Sequence, residues 1–150
     1  MKASNRLDPN LIKALIASES GFNPDTINSH NPAKIGSAHG LMQLTDETLR
    51  ILNGREEGLR DHFVYLSHAE AMDASANICA GIRWLFLKRA GAQERYDQIA
   101  RGHTVTWDDA VAEYKGILSG ILNQNNAHPD SEGKMPIFRS FYKALLGLAP

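Results

Sequence analysis

Two short strings in this chain bring together residue types that could do chemistry. The first runs from Leu11 to Gly21 and closes on Glu19. Leu11, Ile12, Leu15 and Ile16 recur at the three- and four-residue spacings of one helical face, and Glu19 continues that face. A carboxylate therefore falls where a core residue is expected. In the last turn of such a helix, the partial negative charge of the helix end and partial burial both disfavour the ionised form, which suits a general acid. On spacing alone, an exposed glutamate at the edge of the stripe is the simpler reading, so the tie must be broken downstream. The second string is Gly40-Leu41-Met42-Gln43-Leu44-Thr45. Gly40 lets backbone approach closely, Leu41 and Leu44 anchor the segment, and Gln43 offers an acceptor and donors to a polar ligand. Taken alone, this is a loop-to-helix junction with an apolar base.

The elements that must position these strings read as helices almost throughout, an all-α pattern. Asp8 can cap the first helix, Pro9 suits its first position and Gly21 its left-handed stop. A polar stretch from Phe22 to His39 comes next, and a loop of that length in a compact domain is usually functional. Thr45 caps a second helix that ends at Asn53-Gly54. Asp73 caps a third, in which Ile78, Ile82 and Leu85 form the apolar stripe and Gly91 marks the end. Cys79 beside that stripe reads as a small buried thiol. Thr106 with Asp109 forms a capping-box variant opening a helix through Val111 and Tyr114, where Gly116 and Gly120 allow a bend or close packing. Pro136 starts a last helix whose Ile137, Phe138, Phe141, Leu145 and Leu148 dock on the core.

At 150 residues the chain is expected to be one domain over residues 1–150, large enough to bury a core without disulfides or metals. A formal net charge of -1 gives no electrostatic footprint for nucleic acid or an anionic membrane, so neither is an expected partner. The single cysteine rules out an internal disulfide. No apolar stretch of signal-peptide length leads the chain, so it is expected to be an excised domain, to act where it is made, or to be carried by another machine. The six histidines are scattered, with no His-Glu-x-x-His and no Cys-x-x-Cys, and a zinc site would need partners from distant loops; no metal and no cofactor are expected.

The two strings occur in an order that resembles the soluble lytic transglycosylase family. Glu19-Ser20-Gly21-Phe22-Asn23-Pro24 precedes Gly40-Leu41-Met42-Gln43; Asp73 to Leu85 is similar to the family's Asn-Ile, Gly, Tyr-Leu helix; and Ala112-Glu113-Tyr114-Lys115-Gly116 is similar to its Ala-Tyr-Asn-Ala-Gly segment. The resemblance implies a helical, lysozyme-like fold and cleavage of peptidoglycan glycan strands in the periplasm or cell wall. It implies Glu19 as the single catalytic acid and base, Met42 and Gln43 lining the glycan cleft, and a Tyr114 hydroxyl that orients Glu19. Asn77 matches a mainly structural position. An insertion around Asn28 to Ser37 leaves open whether Ser29 or Ser37 faces substrate, and Lys115 replaces a residue near the cleft.

Glycoside cleavage generally uses two carboxylates, and here one convincing acid is found. Glu113 is adjacent to Tyr114 and so points elsewhere on its helix, while Asp46 and Asp73 read as first-turn and cap residues. A lone acid fits the family's transglycosylation, in which Glu19 protonates the oxygen between N-acetylmuramic acid and N-acetylglucosamine and then serves as base for closure of an anhydro ring. A hydrolytic muramidase of the same fold and a noncatalytic peptidoglycan-binding module are the alternatives. Similar domains occur in recycling enzymes, secretion and conjugation machines, phage tails and injected toxins; for an injected toxin, a dedicated inhibitor protein would be a further partner.

Overall fold

The computed structural model describes residues 6–54, 64–99, 102–123 and 133–148. It is mainly helical: α1 (Pro9–Ser20), three two-residue strands β1 (Ile27–Asn28), β2 (Ala38–His39) and β3 (Leu44–Thr45), then α2 (Asp46–Asn53), a 3-10 turn (Glu70–Met72), α3 (Ala74–Ile99), α4 (Trp107–Tyr114), α5 (Leu118–Leu122) and α6 (Lys134–Leu145). Among the described residues, no helix is long and apolar enough to cross a membrane. The chain divides into two compact units, one running from Glu19 to Trp84 and the other holding the residues up to Ser18 and from Leu85 onward.

The Glu19–Trp84 unit is built around its small sheet. The strands pair antiparallel in the order β1-β2-β3, with Ile27 opposite His39, Asn28 opposite Ala38, and Ala38 opposite Thr45. Two-residue strands carry no readable alternation, which is why this stretch reads only as loop in the sequence. The segment Asn28 to Ser37 is the β1–β2 connection, turned by Ile35 and Gly36 N–H bonds to the Pro32 carbonyl at 2.8 and 3.1 Å. Thr45 caps α2 as expected, its hydroxyl accepting the Thr48 N–H at 3.0 Å, and Gly54 closes the helix. Asp73 caps α3 through the Ala76 N–H at 2.9 Å. The buried face of α3 in this unit is Asn77, Ala80, Gly81 and Trp84, a three- and four-residue spacing. Cys79 lies on the other side of that face and is exposed, correcting the expectation of a buried thiol.

In the other unit, Asp8 caps α1 by accepting the Asn10 N–H at 2.9 Å. Leu11, Ile12, Ala14, Leu15, Ile16 and Ala17 are all buried, so the alanines widen the expected stripe into a nearly complete girdle. α3 does not stop at Gly91 but continues to Ile99. The continuation is held by side chains beyond the glycine: Ala92 is fully buried, Arg95 pairs with Glu113, and the Tyr96 hydroxyl donates to Asp109 at 2.9 Å. The capping box of α4 forms as read, with Thr106 N–H donating to Asp109 at 2.9 Å and Asp109 N–H to the Thr106 hydroxyl at 3.2 Å. Gly116, at φ +72°, separates α4 from α5.

The last helix differs from expectation at both ends. α6 begins at Lys134, two residues before Pro136, and buries Met135 and Phe138, whereas Ile137, Phe141, Leu145 and Leu148 are exposed. Residues 135 and 138 share one face, and the wider apolar stripe expected from the sequence exceeds what that contact covers. Its anchors are polar: the Tyr142 hydroxyl donates to Asp8 at 2.8 Å, and Arg139 makes a two-pronged pair with Asp108 at 2.6 and 3.0 Å.

Candidate functional site

Glu19 sits in the last turn of α1 and is half-buried. The chain leaves that helix through two consecutive left-handed residues, Gly21 at φ +60° and Phe22 at φ +65°. For Phe22 this conformation stores strain of about 1–2 kcal/mol, so the reversal is imposed by the packing of the segment beyond it. That segment returns onto the Gly40–Gln43 turn, where the Gly40 N–H donates to the Thr26 carbonyl at 2.9 Å.

The Gly40–Gln43 turn joins β2 to β3 and is clamped from both sides. Gly40 has φ +71°, and a Cβ there would lie 2.9 Å from the Ala71 carbonyl oxygen, so only glycine fits. Gln43 is a second non-glycine residue in the left-handed region, at φ +51°. Its side-chain amide nitrogen donates to the Gly40 carbonyl at 2.9 Å and the Thr26 carbonyl at 3.1 Å. Both donors are thereby spent on backbone, and among the described residues the Oε1 oxygen takes no hydrogen bond. Gln43 thus keeps an acceptor, where the sequence allowed donors as well.

Met42 departs from its expected place on a cleft wall. Its side chain is fully buried, packed so closely on Gly81 that a Cβ there would come within 2.8 Å of Met42 Cβ. Its N–H donates to Asn77 Oδ1 at 2.8 Å. Asn77, itself fully buried, donates through Nδ2 to the Ala71 carbonyl at 2.7 Å and the His39 carbonyl at 2.9 Å. One amide on α3 thereby fixes the turn, β2 and the 3-10 segment, and Met42 serves the turn from beneath.

Ser29 comes directly after β1 and is exposed, while Ser37 precedes β2 and is half-buried. Ser37 is held by its backbone: its N–H donates to Asp46 Oδ2 at 2.7 Å, and its carbonyl accepts the Asp46 N–H at 2.9 Å. Tyr114 closes α4 in the other unit and is half-buried, and the neighbouring Lys115 ammonium donates to the Ser18 hydroxyl at 3.0 Å.

The acids weighed against Glu19 in the sequence, Glu113, Asp46 and Asp73, are engaged. Glu113 is buried and takes both prongs of Arg95 at 2.9 and 3.1 Å, and that pairing raises the Arg95 pKa above its ordinary value. Asp73 caps α3 and Asp109 the box of α4. Asp46 Oδ1 receives His39 Nε2 at 2.8 Å and His68 Nε2 at 2.9 Å, while Oδ2 receives Ser37 N–H. Partial withdrawal from water alone would raise the Asp46 carboxyl, but the bonds from His39, Ser37 and His68 outweigh it and hold it below its ordinary value. The His39–Asp46–His68 grouping is missed by sequence reading because the three come from β2, the first turn of α2 and the segment before the 3-10 turn. Among the described residues it is the grouping whose ligand atoms could hold a metal ion, all within 4.8 Å of one another.

Searches against curated proteins and against solved structures returned no match to this chain. The family model described as transglycosylase SLT domain matches residues 1–134, a span that takes in Glu19, the Gly40–Gln43 turn, Asn77 and Tyr114. The fold is the mainly helical, lysozyme-like one of such domains, whose substrate is peptidoglycan and whose place of action is the periplasm or cell wall. The chain belongs to the transglycosylase SLT domain family.

Proposed function

We propose that this chain acts as one catalytic domain that cleaves the β-1,4 bond between N-acetylmuramic acid and N-acetylglucosamine by lytic transglycosylation, with Glu19 as its lone acid and base. The carrying observation is the fate of the competing carboxylates. Glu113, Asp46, Asp73 and Asp109 are each bound up in ion pairs or helix caps, whereas glycosidases of the usual kind need a second acid or nucleophile.

In the proposed reaction the Glu19 carboxyl gives its proton to the glycosidic oxygen as the bond from the muramoyl C1 breaks. The resulting carboxylate then takes the proton of the same sugar's primary hydroxyl, whose oxygen closes on C1. Atoms balance without water, and the internal nucleophile is already tethered, which replaces a positioned water and its base. Gln43 Oε1, Ser29, Ser37 and the Tyr114 hydroxyl are the proposed glycan contacts. Met42 is proposed to support the turn rather than touch a sugar.

The reading is tested by digesting purified sacculi and weighing the released muropeptides. Anhydromuramoyl ends, lighter by one water than reducing ends, are expected. Reducing ends would make the chain a hydrolytic muramidase, and sacculus binding with no soluble product would make it a noncatalytic module.

A further inference from the structure

The grouping of His39, Asp46 and His68 has the composition and convergence of a transition-metal site. Two imidazole Nε2 atoms approach one carboxylate oxygen at 2.8 and 2.9 Å, and the rings meet edge to face with centroids 5.3 Å apart. Three separate chain segments therefore aim their ligating atoms at one point. The donors are borderline nitrogens with one oxygen, the set preferred by Zn²⁺ over Mg²⁺ or Ca²⁺.

The surroundings are also arranged as a ligand set requires. Asp46 is oriented from behind: its Oδ2 holds the Ser37 N–H at 2.7 Å, leaving Oδ1 to face the imidazoles. Gly36, at φ +75°, lies against the Asp46 side chain, where a Cβ would come within 2.6 Å of Asp46 Cβ. Outer contacts of this kind fix the direction of a ligating carboxylate. His39 is nearly enclosed, with 12% of its side chain exposed, whereas that of His68 is 67% exposed, which gives an ion a route in from solvent.

We propose that His39 Nε2, His68 Nε2 and Asp46 Oδ1 bind one Zn²⁺ ion, with water completing the coordination. Each imidazole binds through its Nε2 lone pair as the Nδ1–H tautomer, the proton that joins Nε2 to Asp46 in the metal-free form being exchanged through solvent onto Nδ1. A tetrahedral ion at ordinary Zn–N and Zn–O lengths spaces its ligands about 3.3 Å apart, so each nitrogen, now 2.8 or 2.9 Å from Oδ1, must move out by roughly half an ångström, and the two nitrogens, which lie within 4.8 Å of each other, must draw together. The bound ion pins the chain before the 3-10 turn to β2 and to the start of α2, and so braces the sheet that carries Gln43. This function is structural and is independent of which glycan reaction the chain performs.

The test is calorimetric titration of the tag-free, metal-stripped chain with ZnCl2, alongside H68A, H39A and H30A. The proposal expects saturable one-to-one binding by the unmodified chain and by H30A, and affinity weakened by ~10-fold or more in H68A and H39A. Because His39 is enclosed, H39A could lose the local fold. H68A, at an exposed position, keeps the test decisive provided its circular dichroism matches the parent. Co²⁺ in place of Zn²⁺ should give a visible tetrahedral absorption band that H68A lacks. Equal Zn²⁺ affinity in the parent and H68A, or no saturable binding by the parent, overturns the proposal.

Discussion

Replacing Asn77 is expected to damage the fold more than any other single polar substitution in the Glu19–Trp84 unit. Its three hydrogen bonds, at 2.7, 2.8 and 2.9 Å, reach Ala71, Met42 and His39, and the side chain is fully buried. Asn77→Leu keeps the volume but strands one N–H and weakens two carbonyls. An unpaired buried group costs about 1–3 kcal/mol, and carbonyls retain a second lone pair for other partners, so the total should be about 3–5 kcal/mol. Against a domain stability of about 5–15 kcal/mol, that is a large fraction. Asn77→Asp adds a directional control. It preserves the acceptor for Met42 N–H but sets an oxygen against the Ala71 and His39 carbonyls, so the carboxyl must be protonated to donate to either. Its folded-state pKa is then raised, and the deficit relative to the parent shrinks as pH falls and grows as pH rises. Urea unfolding of the parent, N77L and N77D at two pH values measures both effects. A cost below about 1 kcal/mol for N77L, or a pH-independent N77D, would refute the reasoning.

Glycines on α3 provide a sign test: G81A should destabilise by about 1–3 kcal/mol because its Cβ enters Met42, whereas G91A should gain about 0.5–1 kcal/mol of helix propensity. At Gly91 the nearest atom to a Cβ is 3.9 Å away, and thermal unfolding of both variants checks the pair. Asp109 is partly withdrawn from water, which alone would raise its pKa, but the bonds from Thr106, Tyr96 and His103 hold it below its ordinary value of 3.8. Its stabilising effect is present above 3.8 and disappears as pH falls through the lower folded value, so the gap between parent and D109N should close in acid. Burial, then the bond to Asp8, pushes the Tyr142 phenol up to about 12 from 10.0; its contribution is complete below pH 10.0 and lost as pH rises to about 12, and Y142F should remove that alkaline transition. E113Q should lower the unfolding midpoint by weakening the two-pronged pair with Arg95 while leaving sacculus digestion intact, as expected of a structural acid.

The parts legible in the sequence are those where one local rule acts alone. Asp8, Thr45, Asp73 and Thr106 each satisfy helix amides within three residues, and all four cap as their residue types imply. The place of Glu19 in the last turn of α1 follows from helical spacing, whereas its acid role is read from the family resemblance. What escaped depends on contacts distant in sequence. Gly91 reads as a stop, but Arg95 and Tyr96 bond to α4 and carry the helix through it. Ile137 and Phe141 read as core, but α6 presents them to solvent. Met42 lies in a string that suggests ligand contact, yet Gly81, far along the chain on α3, opens a slot beneath it. His39, Asp46 and His68 carry no motif because a hairpin and a turn assemble them.

The central claim is that Glu19 alone carries acid and base chemistry on a peptidoglycan glycan. It is tested most directly by a sacculus digest with the parent and E19Q, analysed by mass spectrometry after circular dichroism has shown the two fold alike. The parent should release muropeptides with anhydromuramoyl ends, and E19Q should release none above background. Undiminished release by E19Q would contradict the account.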